Sequence, residues 1–168
     1  MLAASAVAVA RVSAGDFCRA RSIRLEHGRD DPDAFYQLWY DLPALRREVL
    51  DPLAPGGRGT WLPKLRDRET DRSVRAERQV AVPGTVAVVD GRFLGRDDVR
   101  SGFDLLVHLS VSPAALRRRL ATDETARVLP AWQRYLDECA PAERADLVAK
   151  FDHPDRPAIL PRARNISF

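Results

Sequence analysis

Between Pro83-Gly84 and Gly95 the chain reads TVAVVDGRFLG, an apolar run rich in β-branched residues that closes on a carboxylate and a glycine. A run too short for a helix and without polar alternation predicts a strand buried on both faces, hence a central strand of a parallel sheet. DLLVHLSV, from Asp104 to Val111, predicts a second buried strand. VAVARVS, from Val7 to Ser13, alternates Val with Ala and predicts a strand near the start of the chain, and Leu147 to Phe151 a short last one before a Pro-rich tail.

Elsewhere the apolar positions take the helical period. Asp31 followed by Pro32 reads as an N-cap and first helical residue, predicting a short helix from Asp33 to Trp39 that presents Phe35 and Trp39 to an apolar surface. Asp41, Leu42 and Pro43 repeat the signal. LPALRREVLDPL then sets Leu45, Val49 and Leu53 on one side before Pro52, Pro55 and two glycines break the helix. Ser112-Pro113 opens PAALRRRLATDE, and Thr125 to Cys139 is a further helix with Trp132, Tyr135 and Leu136 as its apolar stripe. Ala3 to Ala6 reads as the tail of a helix, and Asp97 to Gly102 as a polar turn. Pro55 to Arg78 is rich in Gly, Arg and Asp, with Trp61 and Leu65 as its anchors, and predicts a hairpin or extended excursion of the kind that carries substrate contacts. Strands alternating with helices predict a doubly wound α/β sheet with right-handed crossovers, in one domain of 168 residues.

Composition narrows the partners. The 27 basic and 24 acidic residues give a pI near 9.2, yet the signs interleave and no block of like charge forms a nucleic-acid arm. Acidic small molecules, phosphates included, fit better than DNA or RNA. Cys18 and Cys139 lie far apart with no CxxC and no nearby histidine, which indicates neither a zinc site nor a disulfide framework and suits a reducing cytosol. MLAASAVAVA lacks the basic n-region of a signal peptide and no run reaches the length of a membrane span, so the expected setting is the cytoplasm, with no membrane partner.

Asp90 is the first candidate for chemistry. In open α/β sheets ligands bind off the carboxyl ends of strands, and in phosphoryl-transfer enzymes an acid there helps hold Mg²⁺; the plain alternative is a turn former beside Gly91. Arg19, Arg21 and Arg24 follow the first strand, where they meet either phosphates or solvent. Arg117, Arg118 and Arg119 are consecutive on a helix, so at most two face one pocket. His108 sits inside an apolar run without a partner at ligand spacing and is expected to be a buried core histidine.

Taken in order, a first strand followed by GDF, FYQLWYDLPALRREVLDPLAPGG, VVDGRFL, a strand with an RRR helix, and RYLDECAPAERAD resemble the uridine kinase-like P-loop kinases, especially their uncharacterised bacterial members, from about Val7 to Ile159. The resemblance implies a P-loop NTPase-like three-layer α/β/α domain that uses ATP and Mg²⁺ to phosphorylate a hydroxyl of a nucleoside or similar small metabolite. It implies Asp90 as the metal-side acid, Tyr40 and Asp41 beside the ribose, Arg66 and Asp67 on the substrate hairpin, and the helix of Arg117 and Arg118 as the entry to the lid over the phosphates; Arg19 is a phosphate candidate by its place in the loop after the first strand.

The departures from that pattern are specific. The family needs GxxxxGK[ST] between its first strand and first helix, because the loop amides and lysine cradle the phosphates. No such segment occurs, and Lys64 and Lys150, the only lysines, follow no glycine loop. The expectation is a domain without its first strand and Walker A loop, through a truncated start or genuine decay. The family's catalytic base falls on Gly15, with Asp16 in the next place, so Asp16 takes that role only if the backbone turns differently there. The lid is shortened to ATDETARVLP, with Thr122-Asp123 where an Arg-Asp pair is expected. Two readings follow: an impaired uridine kinase-like phosphotransferase, or a non-catalytic descendant kept as a binding or interaction module. A missing strand also leaves an open edge along Val7 to Ser13, which predicts a homodimer or aggregation.

Overall fold

The structure is a computed structural model and describes residues 7–161. The expected helix tail at Ala3 to Ala6 lies outside the described residues. The strands are β1 (Val9–Ser13), β2 (Thr60–Trp61), β3 (Gln79–Val80), β4 (Val86–Asp90), β5 (Val107–Ser110), β6 (Leu147–Lys150) and β7 (Ala158–Pro161). The helices are α1 (Arg21–Arg24), α2 (Pro32–Gln37), α3 (Leu42–Leu45), α4 (Asp51–Leu53), α5 (Asp97–Arg100), α6 (Pro113–Arg119), α7 (Thr125–Cys139) and α8 (Pro141–Arg144). β1 and β4 pair in parallel from Val9↔Val86 to Ser13↔Asp90, β5 and β6 pair in parallel, and β7 closes the second sheet antiparallel to β6. β2 and β3 form an antiparallel pair within the excursion. Parallel strands with helices between them make an α/β fold.

β4 is parallel, as its apolar run predicts, but it is not buried on both faces: Val86 and Val88 are 50% and 51% exposed. β5 repeats this, with Val107 and Leu109 exposed and His108 buried between them. Among the described residues β4 is hydrogen-bonded only to β1 and β5 only to β6, which leaves each with an edge that no described strand pairs and a half-exposed apolar face. The polar turn expected after β4 is instead α5, where Asp97 and Asp98 favour a helix N-terminus and Val99 is fully buried. The Pro-rich tail likewise supplies β7, an edge strand, where a proline is tolerated.

Helices begin where their caps predict. Asp31, Asp41 and Ser112 each accept the amide three residues on, from Ala34, Ala44 and Ala115. Between α3 and α4 the chain passes through a π turn, Arg46–Leu50. Pro52 has no amide hydrogen to return to the preceding turn, and the Glu48 carbonyl accepts from Leu62 N at 3.0 Å instead, pinning the start of the excursion.

The core centres on aromatic rings. Phe35 meets Trp39, Phe93 and Tyr40 edge-on at 4.9, 5.7 and 6.3 Å, and Phe93 in turn meets Tyr36 and Tyr135 at 5.0 and 5.5 Å. Phe93 reaches this position from a left-handed backbone, φ 65°, in the turn directly after β4. Gly95 is required beside it: a Cβ there would stand 2.4 Å from the Tyr135 hydroxyl, which accepts the Gly95 amide at 3.0 Å. His108 is buried and stacks on Trp132 with ring centroids 6.0 Å apart, and burial pulls its pKa down, as expected of a core histidine. Cys18 and Cys139 are buried free thiols. No helix among the described residues is long and apolar enough to cross a membrane.

Candidate functional site

The parallel register of β1 and β4 brings Ser13 and Asp90 level at the carboxyl ends of the two strands, and the Ser13 hydroxyl donates to Asp90 Oδ2 at 3.2 Å. Asp90 is otherwise exposed. Directly after Ser13 the chain enters a 3₁₀ turn, Ala14–Phe17, with Ser13 accepting the Gly15 amide. The backbone therefore does turn at Asp16, and the alternation of an extended chain does not apply to its side chain. Gly91 allows the close approach: a Cβ on it would fall 2.4 Å from that of Ala14.

Asp16 is where the excursion is tied down. Its carbonyl accepts from Leu65 N and Arg66 N at 3.0 and 3.1 Å, and its carboxylate lies 3.5 Å from Lys64 Nζ. Lys64 also approaches Asp67 at 3.4 Å. Partial desolvation pulls the Lys64 ammonium down, but Asp16 and Asp67 outweigh it and hold its pKa above the ordinary lysine value. Asp67 is held down to about 2, first by the Thr70 amide and hydroxyl and then by Lys64. Arg66 donates to the Asp71 carbonyl at 2.6 Å and to Ser73 Oγ, so its guanidinium shapes the loop that returns to Val74. Asp71 in turn accepts the Arg21 amide at 2.9 and 3.0 Å and Arg24 at 3.0 Å, and these donors, the Arg21 amide first, lower its pKa.

Tyr40 is buried, which pushes its phenol up against the pull of Arg92 and Arg68. Asp41 caps α3 through its carboxylate, and its amide bonds the Phe17 carbonyl at 2.8 Å. The Arg19 amide bonds the Trp39 carbonyl, and its own carbonyl accepts Arg24 Nε at 2.9 Å. The structure thus gathers Asp16 and Asp67 around Lys64, ties the Arg66 amide to Asp16 while its guanidinium turns to Asp71 and Ser73, and sets Asp90 beside Ser13 on the adjoining strand ends. Arg117 and Arg118 are not gathered there: they are exposed on α6 and make no ion pair among the described residues. Their neighbour Arg119 instead donates to the Phe151 carbonyl. Ser13, Lys64 and Asp71 are the participants the sequence did not single out, although Lys64 is one of only two lysines.

Chemically, the strand ends present a carboxylate with a hydroxyl, and the 3₁₀ turn presents a carboxylate fixed by an ammonium. A carboxylate so held can accept a proton from a bound hydroxyl. No group of three or more His, Cys, Asp or Glu side chains converges as a metal cage among the described residues. The Ser13 and Asp90 oxygens nevertheless suit Mg²⁺, which keeps several waters and binds through one or two carboxylates plus substrate phosphates.

No protein-family model matches the chain, and no curated protein does. Among solved structures it is similar to a possible uridine kinase from Bacillus stearothermophilus, with a TM-score of 0.68 and 23% identity over 84% of this chain and 72% of that one. The likeness shows a uridine kinase-like α/β fold.

Proposed function

We propose that the chain supplies the acceptor side of a uridine kinase-like phosphotransferase, which moves the γ-phosphate of ATP to a hydroxyl of a nucleoside or similar small metabolite. The observation that supports this most is the position of Asp90 and Asp16 at the carboxyl ends of two adjacent parallel strands, where ligands bind in open α/β sheets. Asp16 receives the acceptor's proton, while Lys64 and the amides of Leu65 and Arg66 fix it in place. Tyr40, Asp41, Arg66 and Asp67 bound the acceptor side, and Arg19 stands behind it. Asp90 and Ser13 would hold Mg²⁺, which supplies charge neutralisation to phosphate oxygens. The same reading makes residues 1–168 one P-loop NTPase-like domain, with the pairs β1–β4 and β5–β6 as the two halves of a doubly wound sheet.

The triphosphate of ATP is not fitted in the same way. No glycine-rich loop joins a strand to a helix among the described residues, Lys64 is engaged by two carboxylates, and Lys150 lies exposed in β6. Calorimetric titration of this chain with MgATP is therefore expected to give binding weaker than micromolar, and a micromolar constant would contradict it. A chain extended to include any in-frame GxxxxGK[ST] encoded upstream is expected to form ADP in the presence of a nucleoside panel. The absence of that motif from the 168 residues favours a second reading, a non-catalytic binding module, and no turnover by the extended chain would select it.

The proposed partner, besides the small molecule, is a second copy. The open edges of β4 and β5 carry unpaired backbone groups beside half-exposed valines, and such edges recruit other strands. Light scattering over a concentration series is expected to show a dimer. A monomer at every concentration would exclude it.

A further inference from the structure

Next to the Asp16 cluster lies a cavity of about 180 Å³ whose walls include Arg21, Arg24, Arg29, Arg68 and Arg127, with Trp39 among them. Its base is unusual for its charge. The guanidiniums of Arg24 and Arg127 both lie 5.1 Å from the centre of the Trp39 ring, and the two residues are only 8% and 6% exposed. Buried guanidiniums demand pairing, and here it is incomplete. Arg24 is met by Asp71 and the Arg19 carbonyl. Arg127 is met by Glu124 at 2.7 Å and the Asp123 carbonyl at 3.1 Å, while its Nε is buried without a partner among the described residues.

The upper walls add charge that is less engaged still. Arg29 approaches Asp123 only at 3.7 Å with both side chains about 60% exposed, and the guanidiniums of Arg21 and Arg68 have no carboxylate partner among the described residues. The carboxylates on the wall are Glu69, Asp71 and Asp123, fewer than the arginines, and Asp71 is spent on the Arg21 amide and Arg24. Several planar donor forks converging on one small space match an oxyanion with several acceptor oxygens better than a neutral ring.

We infer that this pocket binds the phosphate group of a small phosphate monoester. Its role rests on the phosphotransferase reading: the phosphate belongs to the acceptor, so the acceptor is a phosphorylated metabolite rather than a neutral nucleoside. The connection is continuous in the structure. Asp71, on the pocket wall, is positioned by Arg66, and the Arg66 amide is bonded to the Asp16 carbonyl. The pocket and the proposed base therefore share one loop.

The test is calorimetry at low salt with glycerol 3-phosphate, uridine and magnesium-free ATP, on the parent and on Arg68→Ala and Arg21→Ala. Both side chains are exposed, so melting temperatures should not move. Glycerol 3-phosphate is expected to bind, uridine at least about tenfold more weakly, and each substitution should weaken the ester by about tenfold, as loss of a charge-assisted contact does. Uridine binding as tightly as the ester, or unchanged ester affinity in both variants, would overturn the inference. So would ATP displacing the ester with higher affinity that both substitutions abolish, since the pocket would then serve the nucleotide. Ester binding that obeys the substitutions in a chain that never transfers phosphate, even with a glycine loop restored, supports the pocket and removes only the phosphotransferase reading.

Discussion

Asp90→Asn, in a chain extended to carry out phosphoryl transfer, is expected to lower kcat by roughly a hundredfold to a thousandfold, equivalent to about 3–4 kcal/mol in the barrier. The substitution removes a full charge from the proposed Mg²⁺ position while leaving an oxygen of the same reach. Folding should hardly respond. Asp90 is exposed, and its one side-chain hydrogen bond among the described residues, from the Ser13 hydroxyl, can be accepted equally by the asparagine oxygen. Rates and melting temperature measured on the same preparation separate the two effects. Equal rates in variant and parent would reduce Asp90 to a turn former beside Gly91, a task asparagine performs as well.

Phe35→Ala carries the largest expected loss of stability, about 3–5 kcal/mol. The ring is 1% exposed and touches Trp39, Tyr40 and Phe93 edge-on, and the guanidiniums of Arg92 and Arg127 lie 5.5 and 5.8 Å from its centre. Truncation leaves a cavity that α2 cannot close, because Asp31 caps its first turn and Tyr36 is engaged on the Phe93 ring. Denaturant unfolding should show a lower midpoint at unchanged slope. A loss below about 1 kcal/mol would mean that the rings do not form the centre of the core.

The elements whose identity is set locally were readable from the sequence. Asp31, Asp41 and Ser112 announce helices because each side chain satisfies an amide three residues away, a contact that needs no tertiary partner. The bounds of α7 were legible, but its buried face was only partly so: Val128, Ala131, Tyr135 and Cys139 are buried, and of the expected stripe Trp132, Tyr135 and Leu136 only Tyr135 is. The exposure of β4 and β5 was not legible. An unbroken apolar run records what a strand can be buried against, and says nothing about whether a neighbouring strand is hydrogen-bonded to it. α5 escaped because a single helical turn has too few residues to show a period.

The site divides along the same line. Asp90 stood out because it follows an apolar run, a local signal, whereas Asp16 came only from the resemblance to the kinase pattern, beside the expected base position Gly15. Lys64 and Asp71 come from the excursion, which has no period, and their partners Asp16 and Arg24 are 47 or more residues away. The 3₁₀ turn that presents Asp16 depends on Ser13 capping it and on Gly91 making room for Ala14. Arg117 and Arg118 illustrate the converse: a run of like residues is conspicuous in sequence, yet the helix carrying them packs on α7 and leaves both pointing into solvent.

Trp39, lying against two guanidiniums, has an optical consequence. Indole emission shifts and quenches with the electric field across the ring, and that field is set here largely by Arg24 and Arg127. An anion drawn against those groups would alter the colour and intensity of the ring's fluorescence. With Trp61 and Trp132 changed to Phe, the remaining indole becomes a built-in gauge of occupancy, readable on unlabelled protein and at ligand concentrations too low for calorimetric heat.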